Sequence, residues 1–356
     1  TSVQLVPFDS YDVQISVIDA DDFIGVPSAF VHIYNEDFDY NWVSNQAGFI
    51  TNGLFPGVYN VSIGLWGYQT LCSEFVVESD QVELSFDLDK GYSDDFSVDL
   101  GWSVQNEFSL TAGAWERGVP NGTSYQGQTM NPDSDADGDC GSVAFVTGNL
   151  LAASFYEADV DGGRTSILSP LMDLSSYQDV SISFHTWFQN SGGQSSPNDS
   201  LLVKLSNGVE TILIDYRTAQ SSSQVWVAHQ VDIPQNFELT STMQLIVETM
   251  DYDDSGHLVE AGFDKFSVTG SNLSIANQTI SNLLVYPNPS VDGILTININ
   301  EELAFLSISD VSGKLISKIK LSNGESTHNL GNLSKGVYLL DFHFSGYTES
   351  LLWIKE

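Results

Sequence analysis

The sequence predicts an all-β chain of three successive β-sandwich domains, and three observations support that prediction. Apolar residues recur at every second position in segment after segment, the period of a strand with one buried face. Clusters of Gly, Asn, Asp and Ser interrupt those segments at short intervals, as turns require. No apolar stripe of helical period runs for a useful length. At 356 residues, with 42% hydrophobic and 12% aromatic side chains, the chain has enough apolar material for more than one core.

Residues 1–90 form the first predicted domain. Val13, Ile15 and Val17 alternate, and Tyr59, Val61 and Ile63 alternate again with polar neighbours. Asn45 to Gly48 and Phe55-Pro56-Gly57 read as turns, and Val82, Leu84, Phe86 and Leu88 as the closing strand. The stretches GVPSAFVHI (Gly25 to Ile33) and NQAGFITNGLFPGVYNVSIGLWGY (Asn45 to Tyr68) resemble the carboxypeptidase regulatory-like domain, a transthyretin-like sandwich. That resemblance implies a spacer or stabiliser attached to other modules. Asp19, Asp21 and Asp22 read as a solvated turn rather than a metal site.

Residues 91–270 form the second and largest domain, with Ile182, Phe184, Thr186 and Phe188 alternating in its middle. The density of carboxylates is its main chemical signal. Asp133, Asp135, Asp137 and Asp139 alternate in PDSDADGD, with Gly138 for a sharp turn. This copies the opening of a calcium loop, since Ca²⁺ takes six to eight hard oxygen ligands. The twelfth position would be Ala144, so the loop is not an EF-hand. Asp159 and Asp161 beside Gly162-Gly163, then Asp251, Asp253, Asp254 and Glu260, offer further oxygens.

The segments DDFSVDLGWSV (Asp94 to Val104), GAWERGVP (Gly113 to Pro120), CGSVAFVTGN (Cys140 to Asn149), DVDGGRTSILSPLMDLS (Asp159 to Ser175) and VEAGFDKFSV (Val259 to Val268) occur in that order. They resemble a MAM-like jelly-roll module that accompanies secreted bacterial peptidases and surface adhesins. The resemblance implies a cation held by an N-terminal-strand carboxylate, an aspartate loop and an aspartate of the last strand. Those positions are Ser97, Asp137 and Asp264, with Ser97 standing where a glutamate is expected. The expected structural Ca²⁺ ligands are therefore drawn from Asp135, Asp137, Asp139, Asp161, Glu260 and Asp264.

After a linker at 271–282, the domain at 283–356 is read from motif order. Pro287 and Pro289 around Asn288 mark an extended entry, Ser312-Gly313 sits between apolar runs as a hairpin turn, and Leu315, Ser317, Ile319 and Leu321 share one strand face. Tyr338, Leu340, Phe342 and Phe344 share another, opposite Val337 and Leu339. LLVYPNPSVDGILTI, ISDVSGKLI, LSKGVYLLDF and the terminal WIKE resemble the type A C-terminal sorting domain, an Ig-like sandwich, of Bacteroidetes proteins exported by the type IX secretion system. The motif residues are Tyr286, Pro287, Asn288, Pro289, Gly313, Lys314, Gly336, Val337 and Tyr338. The implied partners are the type IX translocon and its outer-membrane shuttle. The implied destination is secretion or the outer cell surface.

The formal net charge is −36, and residues 283–356 carry only 8 acidic and 5 basic side chains, which leaves −33 on residues 1–282. Such a field repels nucleic acid and anionic headgroups and favours cations. Adaptation to salty water produces the same acidity. Cys72 and Cys140 exclude a disulfide scaffold and leave one bridge between the two predicted domains open. No apolar run approaches the ~18 residues of a membrane span. The chain starts at Thr1 without a recognisable export signal, so a mature form or C-terminal fragment is expected.

No complete catalytic signature is present. H-E-x-x-H does not occur among His32, His185, His229, His257, His328 and His343, a lone H-x-x-E stands at His257 to Glu260, and there is no G-x-S-x-G elbow or nucleotide loop. A paired-carboxylate glycosidase stays open, because spacing in space is not readable from sequence. His185 reads as a packed strand residue. The expectation is a non-catalytic, calcium-stabilised accessory region with an export signal, any catalytic domain lying upstream of Thr1, for which the resemblance implies a metallopeptidase. The competing reading is an adhesin or carbohydrate-binding protein that recognises a surface glycan or protein. In that reading Trp102, Trp115, Trp187 and Trp226 are the candidate platforms.

Overall fold

The computed structural model describes residues 10–78, 82–125, 128–151, 156–193, 195–251, 256–272, 283–299, 303–310, 314–321, 323–344 and 348–356. Gly313 and Ser312 of the tail, Asp253 and Asp254, and most of the linker lie outside the described residues. The described residues are strands and their connections, with a single three-residue 3₁₀ turn at Ala219–Ser221. The chain divides into two compact units, Thr1–Ala276 and Asn277–Glu356.

The first unit opens with a seven-stranded sandwich. Its strands are β1 (Tyr11–Asp19), β2 (Phe30–Tyr34), β3 (Asp39–Val43), β4 (Phe49–Leu54), β5 (Gly57–Gly64), β6 (Leu71–Val77) and β7 (Val82–Leu88). They form the sheets β4-β1-β7 and β3-β2-β5-β6. The alternation read from sequence is the burial pattern: Val13, Ile15, Val17, Tyr59 and Ile63 are fully buried. At the Asn45 turn, the side-chain oxygen accepts the N–H groups of Ala47 and Phe49, and Gly48 adopts φ +78°. The acidic turn is closed by Lys90, whose ammonium lies 3.1 Å from Asp19 and 2.8 Å from Asp22.

A larger sandwich follows in the same unit. Its first strands are β8 (Tyr92–Asp94), β9 (Ser103–Asn106), β10 (Trp115–Gly118), β11 (Thr123–Tyr125), β12 (Gln128–Asn131) and β13 (Ala144–Thr147). Then come β14 (Gly163–Leu168), β15 (Tyr177–Ser191), β16 (Ser200–Ser206), β17 (Thr211–Thr218), β18 (Ser223–Asp232), β19 (Gln244–Asp251) and β20 (Leu258–Asn272). One sheet runs β10-β13-β20-β15-β18, with β8 also on β20, and the facing sheet runs β17-β16-β19-β14-β9. Phe184, Phe188, Leu201, Leu205, Val247 and Phe263 meet between them.

The two sandwiches are locked together by residues whose partners are remote in sequence. Trp66 donates its indole N–H to the Leu171 carbonyl at 2.7 Å and stacks on Phe266. Cys72 and Cys140, expected to belong to separate domains, are joined as a disulfide with Cα atoms 5.8 Å apart. Packing of one sandwich on the other brings β6 beside the loop before β13, a proximity that chain order does not reveal.

The second unit is another seven-stranded sandwich. Its strands are β21 (Leu283–Tyr286), β22 (Ile294–Ile299), β23 (Leu303–Asp310), β24 (Leu315–Ile319), β25 (Gly324–Asn329), β26 (Gly336–Phe344) and β27 (Thr348–Lys355). The sheets are β21-β22-β25 and β24-β23-β26-β27. Tyr338, Leu340 and Phe342 are buried together with Trp353, Ile297 and Ile308.

Candidate metal centre and adjoining groove

The centre is built by a bulge. On β15, Ser183 pairs with Ser267 and His185 with Asp264, so two steps along β15 match three along β20. The extra residue is accommodated near Lys265, whose φ is +51°. Phe263 and Phe266 can therefore both enter the core, while Asp264 is turned towards the aspartate loop and is wholly buried.

That loop joins β12 to β13 and turns at Gly138, where φ is +88°. The Ala136 N–H donates to Asp264 Oδ2 at 2.9 Å, and the Lys265 N–H donates to Asp264 Oδ1 at 2.7 Å. Ligand atoms of Asp135, Asp139 and Asp264 all lie within 4.8 Å of one another. Asp135 Oδ2 and Asp139 Oδ2 are buried without a hydrogen-bond partner among the described residues.

Burial, reinforced by Asp135 and Asp95, pushes Asp139 up to about 7. Burial, reinforced by Asp139, pushes Asp264 up to about 8, and burial likewise raises Asp135. Three clustered carboxyls that resist ionising together, two of them with unpartnered buried oxygens, have the donor chemistry of a hard divalent cation.

The remaining expected ligands are placed elsewhere. Asp137 is exposed, and it is its carbonyl oxygen that is engaged, accepting the Lys265 ammonium at 2.8 Å. Ser97 donates its hydroxyl to Asp95 at 2.6 Å, while Asp95 Oδ2 accepts the Cys140 N–H at 3.2 Å. Asp161 and Glu260 belong to a second acidic region with Asp159 and Asp251. There burial, then Asp159, lifts Glu260 to about 8, and burial, then Asp161, lifts Asp159 to about 7. Asp95 was not anticipated from sequence, and only its neighbour Asp94 in the same short acidic run could have drawn attention to it.

Beside the centre lies a groove of about 440 Å³ lined by Asp133, Asp135, Asp137, His185, Gln224 and Trp226. Trp226 is half-buried and donates its indole N–H to the Ser134 carbonyl at 2.8 Å. Of the other candidate platforms, Trp115 and Trp187 are buried, and Trp102 packs among Phe96, Phe145, Phe263 and Phe266. His185 is half-buried on β15 and lines the groove, and burial, with Lys265 nearby, lowers its pKa.

In the second unit, the tail motifs converge on the last strand. Asn288 donates its side-chain amide to the Leu352 carbonyl at 2.7 Å, and its oxygen accepts the Ile354 N–H at 2.9 Å. Trp353 donates its indole N–H to the Pro287 carbonyl, and Tyr286 donates its hydroxyl to Glu325. Pro289 follows Asn288, and the next residue, Ser290, bridges to Lys355. The Lys314 N–H donates to Asp310. Gly336 and Val337 open β26, and Tyr338 donates its hydroxyl to the Ser334 carbonyl.

Residues 284–355 match the family described as the secretion system C-terminal sorting domain. The tail is a sorting domain. The protein is accordingly secreted, its sorting domain being of the kind read by the type IX secretion machinery and typically associated with the outer cell surface. No described helix is long and apolar enough to cross a membrane.

Over 146 residues the chain is 28% identical to a funoran endo-beta-hydrolase of Wenyingzhuangia aestuarii, covering 39% of this chain and 20% of that protein. The chain thus spans about a fifth of the length of the curated relative it matches. Among solved structures, a carbohydrate-binding module of the β-sandwich superfamily aligns with 73% of this chain and 97% of its own, at 12% identity and TM-score 0.31. The K1 cleaved adhesin domain of Lys-gingipain from Porphyromonas gingivalis W83 covers 51% of this chain and 99% of its own, at 12% identity and TM-score 0.32. A CBM22-1 xylan-binding domain from Paenibacillus barcinonensis covers 51% and 94%, at 15% identity and TM-score 0.27.

Proposed function

We propose that residues 1–276 are the cation-stabilised accessory region of a secreted hydrolase, delivered by the sorting domain. The observation that carries the cation is the convergence of Asp135, Asp139 and Asp264, two of them with orphaned buried oxygens. These three would hold Ca²⁺, which supplies charge neutralisation and crosslinks the aspartate loop to β20. The first sandwich, resembling a carboxypeptidase regulatory-like domain, serves as a spacer bolted to the MAM-like jelly roll by Trp66 and the disulfide. The sequence resemblance favours a peptidase as the attached activity, and the polysaccharide hydrolase relative favours a glycan-directed one. Calorimetric titration of the calcium-stripped protein tests the centre. One Ca²⁺ should bind per chain at the Asp264 centre, and heats that persist unchanged in Asp264→Asn would remove it.

Trp226 supports a second reading. A half-exposed indole next to a carboxylate-lined groove suits a neutral sugar, whose C–H face stacks on the ring while its hydroxyls meet Asp133 and Gln224. Affinity electrophoresis through gels containing marine or plant polysaccharides should show retardation that Trp226→Ala abolishes. Equal mobility of the two proteins in every gel would leave the accessory reading alone.

A further inference from the structure

Far from the aspartate loop in sequence, three side chains meet in an order familiar from hydrolytic chemistry. The Ser195 hydroxyl lies 3.0 Å from His257 Nε2, and His257 Nδ1 lies 2.8 Å from Asp199 Oδ2. His257 is 1% exposed, and its own backbone N–H donates to Asp251 Oδ2 at 3.0 Å, which anchors the residue from behind. With Nδ1–H directed at a carboxylate, Nε2 is left as the acceptor facing the serine hydroxyl, the tautomer a general base requires.

The loop that carries Ser195 is shaped around the imidazole. Gly193 has φ +74°, and a Cβ there would fall 2.5 Å from His257 Cδ2 and 2.6 Å from the Gly256 carbonyl oxygen. Glycine is what lets the loop close this tightly over the ring. His257 is thereby covered, while Ser195 remains exposed at the surface.

We propose that Ser195, His257 and Asp199 form a nucleophile, base and orienting carboxylate that cleave small acyl esters at the protein surface. Ser195 Oγ would attack the acyl carbon as its proton passes to His257 Nε2. The C–O bond to the alcohol then breaks, and the proton returns from His257 to the departing oxygen. Water, deprotonated by the same nitrogen, releases the carboxylic acid and restores the serine, with no redox partner needed. The surroundings define the substrate class. An exposed serine accepts an acyl group on a bulky alcohol, such as an acylated polymer, and the adjoining Asp199 and Asp251 disfavour an anionic acyl group. This activity goes beyond the accessory reading and does not depend on the Asp264 centre. The same Asp199, Asp251 and His257 could instead hold a cation. The acceptor nitrogen facing a serine, not a third carboxylate, favours hydrolysis.

The full chain, kept in Ca²⁺, is assayed with p-nitrophenyl acetate and a fluorophosphonate probe, followed by peptide mass spectrometry. The probe should label Ser195 and spare the neighbouring Ser196. Ser195→Ala, at an exposed position that leaves folding intact, should lower the rate roughly 10²-fold or more, within the range for loss of a paired nucleophile and base. Asp199→Asn, acting through the imidazole, should lower kcat while leaving KM unchanged. A Ser195→Ala rate within twofold of the unsubstituted chain, or label absent from Ser195, overturns the assignment. Binding of Zn²⁺ by His257 with no label on Ser195 also overturns it and makes the cluster a cation site.

Discussion

Asp264→Asn is the most informative perturbation of the proposed cation centre. Ligand atoms of Asp135, Asp139 and Asp264 lie within 4.8 Å of one another. At an effective dielectric near 20, each ionised pair at that distance repels by ~3.5 kcal/mol. An asparagine removes two such pairs, at the cost of one of the two backbone hydrogen bonds Asp264 accepts, about 1–3 kcal/mol. Without divalent ions the substituted protein should therefore match or exceed the parent in melting temperature above pH 8. With Ca²⁺ a hundredfold above its Kd the parent should gain about 2.7 kcal/mol, roughly 5–10 °C for a unit of this size. Asp264→Asn should lose that gain, and Asp137→Ala should keep it, since the Asp137 side chain is exposed. Differential scanning calorimetry in EDTA, Ca²⁺, Mg²⁺ and NaCl at matched ionic strength reads all four cases. Equal shifts from Ca²⁺ and NaCl would refute the reasoning, because only screening would then be at work. So would a calcium gain that survives in Asp264→Asn.

The pH dependence has a definite sign. Burial pushes Asp139 to about 7 and Asp264 to about 8 from an ordinary aspartate value of 3.8, so between those limits the folded chain holds more protons than the unfolded one. Stability in EDTA should fall as pH rises from 5.5 to 8.5, and saturating Ca²⁺ should flatten that decline, as melts at stepped pH would show. Replacing Cys72 by Ser opens a loop of 68 residues and should cost up to about 4 kcal/mol, measured by guanidinium unfolding with and without reductant. In the sorting domain, the buried Lys355 ammonium donates to the carbonyls of Leu330, Gly331 and Leu333. Lys355→Met should destabilise that unit by ~2–4 kcal/mol. Hydrogen exchange should then quicken in β26 and β27 while β1 to β20 are unchanged.

The strand-period burial of Val13, Ile15 and Val17, the Asn45 turn and the Tyr338-Leu340-Phe342 face were all legible in sequence, because side-chain alternation and turn chemistry act over a few residues. The sorting motifs were legible for a related reason: YPNP and WIKE are short segments that clasp each other, the Ile354 N–H donating to Asn288 and the Trp353 indole to the Pro287 carbonyl. Which aspartates converge was not. Asp135, Asp137 and Asp139 alternate identically along the chain, yet only the path of the loop and its contact with Asp264, 128 residues beyond Ala136, separates two inward carboxylates from one exposed. The bulge near Lys265 that aims Asp264 arises from a mismatch between two strands, which neither strand encodes alone. The Cys72–Cys140 bridge and the Ser195-His257-Asp199 cluster depend likewise on packing between segments 68, 62 and 58 residues apart. Local sequence therefore determined the strands, the turns and the export address. The tertiary fold decided which carboxylates, imidazole and thiols meet, because such groups act only at distances of a few ångströms that remote segments must close.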